Sequence, residues 1–136
     1  MAGAGVGATG PLFRALLGGN VAGVCPRCHG SFHKIDSDGV PVEACDGCGG
    51  IHLKPGKLNE LLFQPETVQR RLMREVEETK TGRVRERQTD LKCRDCGVAM
   101  ASKPLGKLTM RHIYSCPQCR CEFVDNNVLP EILTGA

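Results

Sequence analysis

The chain has no tryptophan, one tyrosine and four phenylalanines in 136 residues, so aromatics make up only 4%. That argues against a single large apolar core, and it leaves few rings on which nucleic-acid bases could stack. No apolar run approaches the about 20 residues needed to span a bilayer, so no membrane partner is expected. Neither sign of charge dominates: 18 Lys and Arg against 15 Asp and Glu leave a net +3. Such a balance permits nucleic-acid contact without demanding it. A secretory leader is not expected either, because residues 1–19 lack a basic start and Arg14 interrupts their apolar stretch. No nucleophile–base pair and no phosphate loop can be read, so the chain is not expected to be an enzyme.

What the chain does have is cysteine. Eight of its nine cysteines form four CxxC pairs: Cys25/Cys28, Cys45/Cys48, Cys93/Cys96 and Cys116/Cys119. Each pair puts two thiols at the tip of one tight turn. Two facing turns supply four sulfurs at tetrahedral angles, which is what a closed structural zinc site requires. Sixteen residues separate Cys28 from Cys45, nineteen separate Cys96 from Cys116, and forty-four separate the two groups. Two zinc ions per chain follow, one on Cys25, Cys28, Cys45 and Cys48, the other on Cys93, Cys96, Cys116 and Cys119. A disulfide framework is the weaker reading for a chain expected in the cytoplasm, where thiols stay reduced. Iron in a rubredoxin-like site would use the same donors, but the spacing favours zinc.

The expected fold is a small metal-stabilised α+β protein: two zinc ribbons, each a β-hairpin with two knuckles and a short C-terminal helix, joined by a charged helix. Residues 1–23, rich in Gly and Ala, read as a flexible tail. Residues 24–64 are the first ribbon, with strands at Ser31–Ile35 and Val40–Ala44 about the turn signal Asp36-Ser-Asp-Gly39. A short helix opens near Pro55 and carries Leu58, Leu61 and Leu62 on one face. Residues 65–92 are the charged helical linker. Val68, Leu72 and Val76 recur there every four residues with Met73 beside them, a stripe that could pack on a ribbon or form a homodimer seam over 66–80. Arg71–Glu75 and Arg74–Glu78 are spaced for ion pairs. Residues 93–136 are the second ribbon, with strands at Ala99–Ser102 and Thr109–Ser115 and a closing helix or turn.

The two halves repeat. Shifting the first by 71 residues places Cys45 on Cys116 and Cys48 on Cys119. Leu53, Leu58, Leu61 and Leu62 then fall on Val124, Leu129, Ile132 and Leu133. A knuckle, hairpin, knuckle and short helix are thus used twice, a duplication rather than a solenoid.

The stretch CPRCHG…DGVPVEACDGCGGIHLKPGKLNELL resembles the transcription factor IIB-type zinc-finger family of small, mostly bacterial proteins. Cys25, Pro26, Cys28, Gly30, Cys45, Cys48, Gly50, Leu53, Gly56 and Leu58 carry the likeness, over about residues 25–62. His52 stands where that family has Trp, Lys54 where it has Asp, and Lys57 where it has Glu. The second half is a looser copy with Phe123 and Asp125 at the Trp and Asp positions. The resemblance implies zinc binding but no reaction.

Function is therefore sought in macromolecular contact. The leading expectation is a non-enzymatic tandem zinc-ribbon module that contacts another protein, with a link to transcription suggested by the resemblance. The alternative is nucleic-acid binding through Arg70, Arg71, Arg74, Arg83, Arg85 and Arg87, although Glu75, Glu77, Glu78 and Glu86 are interleaved with them. A chaperone-like role is a second alternative, since CPRCHGS and CDGCGGI partly resemble the CxxCxGxG repeats of J-domain co-chaperones. Cys121 reads as a buried or half-buried inert thiol, with a spare ligand or a redox-sensitive thiol as alternatives, and His29, His33, His52 and His112 as surface or packing residues rather than replacement ligands.

Overall fold

A computed structural model of the protein describes residues 24–84, 87–104 and 112–134. The expected tail 1–23, Arg85, and the loop and strand start expected over 105–111 lie outside these residues. Four knuckles organise the chain, and all four close alike. The amide of the first cysteine donates to the carbonyl five residues on: Cys25 to Gly30, Cys45 to Gly50, Cys93 to Val98 and Cys116 to Cys121. The residue four on donates back to the cysteine carbonyl, and that residue has a positive φ each time: His29 (64°), Gly49 (76°), Gly97 (76°) and Arg120 (67°). The bend calls for this left-handed backbone, and glycine meets it most cheaply.

Strand β1 (Phe32–Ser37) and β2 (Val40–Cys45) form an antiparallel hairpin in which Phe32 faces Cys45 and Ser37 faces Val40. Its two-residue turn is Asp38-Gly39, both with positive φ (51° and 97°), a geometry that matches the twist of the strands. The strands therefore run to Ser37, two residues past the expected end, and only Asp38 and Gly39 are left to turn. After the second knuckle comes β3 (Ile51–Leu53), then α1 (Lys57–Leu62) and α2 (Glu66–Thr79). Helix α1 starts at Lys57 rather than Pro55 because Gly56, at φ 81°, lies outside the helical region. The second half supplies β4 (Ala101–Pro104), β5 (His112–Ser115), β6 (Glu122–Val124) and α3 (Leu129–Thr134).

All six strands belong to one sheet, in the order β1-β2-β3-β6-β5-β4. The order is a palindrome of the two halves. At its centre β3 pairs with β6 antiparallel: Ile51 with Val124, His52 with Phe123, Leu53 with Glu122. Under the 71-residue shift this register maps onto itself, so a pseudo-two-fold axis passes beside His52 and Phe123. The flanking pairs obey the same symmetry, since Glu43 faces His52 and Tyr114 faces Phe123. Each ribbon thus meets the other as one protomer meets its partner in a two-fold dimer.

Period-two alternation then sorts the side chains. Ile51, Leu53 and Val124 join the helix-side core with Val42, Ala44, Leu58, Leu61, Ile113, Leu129 and Ile132, residues of both ribbons. Phe123 belongs to the knuckle-side cluster with Cys25, Cys28, Cys45 and Leu91. Composition pointed away from one large core, yet the two ribbons share one. Two half-size cores are merged by a common sheet, which economises on aromatic residues.

The stripe on α2 is spent inside the chain. Val68 (8% exposed), Leu72 (2%) and Val76 (1%) are buried, and Leu72 and Val76 lie in the helix-side core. This corrects the expected homodimer seam over 66–80: its apolar side chains already cover the protein's own sheet. Gln69 is buried as well and donates from Nε2 to the Leu61 carbonyl at 2.9 Å, satisfying an end group of α1. Among the described residues, α2 carries an Arg70–Glu66 ion pair and Lys80 pairs with Glu77, in place of the expected Arg71–Glu75 and Arg74–Glu78 pairs. No helix among the described residues is long and apolar enough to cross a membrane.

Candidate metal centre

The four sulfurs of Cys25, Cys28, Cys45 and Cys48 lie within 4.8 Å of one another, as do those of Cys93, Cys96, Cys116 and Cys119. Sulfur–sulfur distances include 3.8 Å for Cys25–Cys48, 3.4 Å for Cys28–Cys45 and 3.6 Å for Cys93–Cys119. A tetrahedral zinc ion with bonds of about 2.3 Å sets its sulfurs about 3.8 Å apart, so both clusters have the right size. None of these cysteines is in a disulfide.

Backbone amides point at the sulfurs. Gly47 N lies 3.3 Å from Cys45 Sγ and Gly50 N 3.4 Å from Cys48 Sγ. In the second site Gln118 N and Cys119 N both lie 3.4 Å from Cys116 Sγ. Such donors stabilise negative sulfur and orient the ligand. Thiols this close conflict when no cation is bound. Hydrogen bonds from Cys25 and Cys48 hold Cys45 down at about 2, while contact with Cys45 and Cys48, reinforced by burial, drives Cys25 far above the usual thiol range. In the second cluster, burial first of all lifts Cys93 to about 11. A dication removes the conflict by letting every sulfur carry charge. Each cluster can therefore bind a zinc ion, two per chain.

The segment after α2 braces the first centre. Thr81 N donates to Asp46 O at 2.7 Å, Gly82 N to Gly47 O at 2.9 Å, and Gln88 N to Arg27 O at 2.6 Å. Residues read as a linker thus form part of the wall of the zinc site. A Cβ at Gly50 would lie 2.4 Å from Phe123 Cζ, so glycine there admits the ring of the opposite ribbon beneath the second knuckle.

Two ion pairs cross the pseudo-two-fold axis with their charges exchanged. Arg27, in the first knuckle, donates from Nε and Nη2 to Asp125 at 2.9 and 2.8 Å. Burial works against the Arg27 charge, but the hydrogen bonds to Asp125 outweigh it and raise its pKa above the ordinary arginine value. The guanidinium also stacks on Tyr114, 5.3 Å from the ring centre. At the related place Asp95 sits in the third knuckle, and Lys54 Nζ lies 3.8 Å from it. Lys54, the departure from the family pattern, thus faces an acid where Asp125 faces a base. The charge pattern favours joining unlike ribbons over joining like ones. Sequence reasoning missed Arg27 and Asp95, because their partners lie in the other half of the chain.

The described arginines singled out for nucleic acid fall on two separate elements. Arg70, Arg71 and Arg74 are exposed on α2, with Arg70 paired to Glu66 at 2.6 Å. Arg83 and Arg87 lie in the bracing segment, and Arg87 Nη2 is 3.8 Å from Asp125. None of the four histidines joins a four-cysteine cluster. His33 contacts Asp46, His29 is exposed, and His112 is half-buried. His52 is only 2% exposed, a packing position with a polar ring.

Comparison with known proteins agrees with this geometry. Residues 24–63 match the model of the transcription factor zinc-finger family, the zinc ribbon of the transcription factor IIB type. The second cluster, on the same strand and helix plan, marks a divergent second copy. No curated protein and no solved structure matches the chain.

Proposed function

We propose that this chain, whose first ribbon is of the transcription factor IIB type, is a non-enzymatic zinc-held module that works by binding another protein. The observation that carries this reading is the closed donor set of both centres. Four cysteines fill a tetrahedral zinc ion, so neither site offers a position for an activated water or a substrate. Zinc there contributes folding energy, and a rigid surface is the product. Binding of about 10–16 kcal/mol per ion in small fingers is enough to hold so small a fold.

Among the described residues, two large apolar side chains remain exposed and adjacent at the end of α1: Phe63 at 83% and Leu62 at 42%. Phe63 is one of only four phenylalanines, and an exposed ring is a common anchor of protein interfaces. Protein contact is favoured over nucleic acid because the described arginines lie on two elements, and Arg70 and Arg87 face acids. The test is a photo-crosslinking residue at position 63 in zinc-loaded protein added to a native extract. A discrete protein adduct, competed by the unmodified chain and not by Phe63→Ser, supports the reading. No adduct, with steeply salt-dependent gel-shift binding to nucleic acid, would replace it with the nucleic-acid reading.

A further inference from the structure

We infer that His52, Asp95 and Cys121 form a third metal site, separate from the two four-cysteine clusters, for one divalent cation of the zinc type. One donor atom from each residue lies within 4.8 Å of the other two. His52 Nε2 is 3.8 Å from Asp95 Oδ2, and Cys121 Sγ is 3.8 Å from the same oxygen. Tetrahedral bonds of about 2.0–2.3 Å bring mixed N, O and S donors to about 3.3–3.8 Å, so both edges that meet at Asp95 Oδ2 are near that size already.

His52 is itself a polar ring in want of a partner. It is 2% exposed, and both its ring nitrogens are buried without a hydrogen bond. A buried polar atom in that state is costly unless something meets it. Packing alone does not call for histidine here, because Phe123 fills the related position across the axis with no polar atom. The other two donors are exchanged as well. Gly50 is the counterpart of Cys121, and Arg27 the counterpart of Asp95, so the trio exists at one end of the pseudo-two-fold only.

Charge and access also fit. A metal-bound thiol is deprotonated, so Cys121 and Asp95 would offer two negative charges to a dication beside a neutral imidazole. Burial, followed by the positive charge of Arg94, lowers His52 to about 4 and keeps that ring neutral near pH 7. Asp95 spends Oδ1 on Arg94, 3.3 Å away, and turns Oδ2 toward the trio. Arg94 is itself held by Glu43 and stacked on Phe32, 5.1 Å from the ring centre. Lys54, 57% exposed, is the competitor for Oδ2, with Nζ 3.8 Å from it. A groove of about 210 Å³, lined by Lys34, Pro41, Val42, Glu43, His52 and Lys54, reaches the His52 member of the trio. Three protein ligands leave a fourth position open, unlike the closed clusters.

The test titrates cobalt(II) into the full chain already carrying two zinc ions. The expected result is uptake of a third equivalent with sulfur-to-cobalt charge-transfer absorption and no release of zinc. His52→Phe should weaken this uptake by about a hundredfold, and Cys121→Ala should abolish the charge-transfer band, with folding of each checked by circular dichroism. Lys54→Met, at an exposed side chain, keeps the test valid if a core variant unfolds: it should tighten cobalt binding severalfold. No third equivalent, cobalt uptake matched by zinc loss, uptake unchanged in the His52 and Cys121 variants, or unchanged affinity in Lys54→Met would each overturn the site.

Discussion

Removing the carboxylate of Asp125 should destabilise the protein by about 3 kcal/mol. The side chains of Arg27 and Asp125 are only 9% and 12% exposed, and two charge-assisted hydrogen bonds join them. Breaking such a buried pair from one side generally costs about 3–5 kcal/mol, because the surviving charge stays buried. Here the lower end applies, since in Asp125→Ala the guanidinium keeps the Gln88 carbonyl and the Tyr114 ring. Arg27→Met with Asp125→Leu should be milder than Asp125→Ala, because no charge is stranded. The cycle formed with the two single variants should give a coupling energy of about 1.5–3 kcal/mol. The symmetry-related Lys54→Ala provides the contrast. Its partner is 3.8 Å away and Lys54 is 57% exposed, so the change should stay within about 0.5 kcal/mol. The assay is urea unfolding followed by far-UV circular dichroism at fixed free zinc, because ligation is linked to stability. A loss below about 1 kcal/mol in Asp125→Ala, or additive single variants, would refute a buried cross-axis clamp.

Gly50→Ala should cost about 1–3 kcal/mol through the clash with Phe123, and Phe123→Leu should relieve part of it, read as midpoints in a thermal melt. A strong zinc chelator should remove two zinc ions per chain and abolish the folded circular dichroism spectrum. An unchanged spectrum with the metal shown to be gone would contradict zinc as the main folding energy. Burial lowers His52 to about 4, against about 6.5 unfolded, so between these values the unfolded chain binds more protons. Stability from the neutral ring is complete above about pH 6.5 and is lost as pH falls toward 4. Between pH 7.5 and 5 the wild type should lose about 2 kcal/mol more than His52→Phe, measured by urea unfolding at the two pH values.

Both metal clusters were readable because a knuckle is local: two cysteines, a bend and a returning amide fit within six residues. The β1–β2 hairpin was readable for the same reason, with the turn signal Asp36-Ser-Asp-Gly39 between two short runs. The buried face of α2 appeared as the four-residue recurrence of Val68, Leu72 and Val76. The central strands did not appear. Ile51–Leu53 and Glu122–Val124 are three residues each, too short to show alternation, and their pairing spans the whole repeat. Their only trace was that Leu53 and Val124 coincide under the shift. The departures His52 and Lys54 looked like losses because their environment is non-local. Lys54 faces Asp95, and His52 lies beside Asp95 and Cys121, residues of the other ribbon. Duplication inside one chain frees each copy to change against the other, which no single-copy pattern reveals.

Hydrogen exchange on the zinc-loaded chain tests most directly whether the two ribbons are one folding unit. The amides of Ile51–Leu53 and Glu122–Val124 should exchange slowly, and when Cys25 and Cys28 are both replaced by serine the protection of the two strands should fall together. Protection retained at Glu122–Val124 in that variant would contradict the shared sheet and leave two ribbons that fold independently.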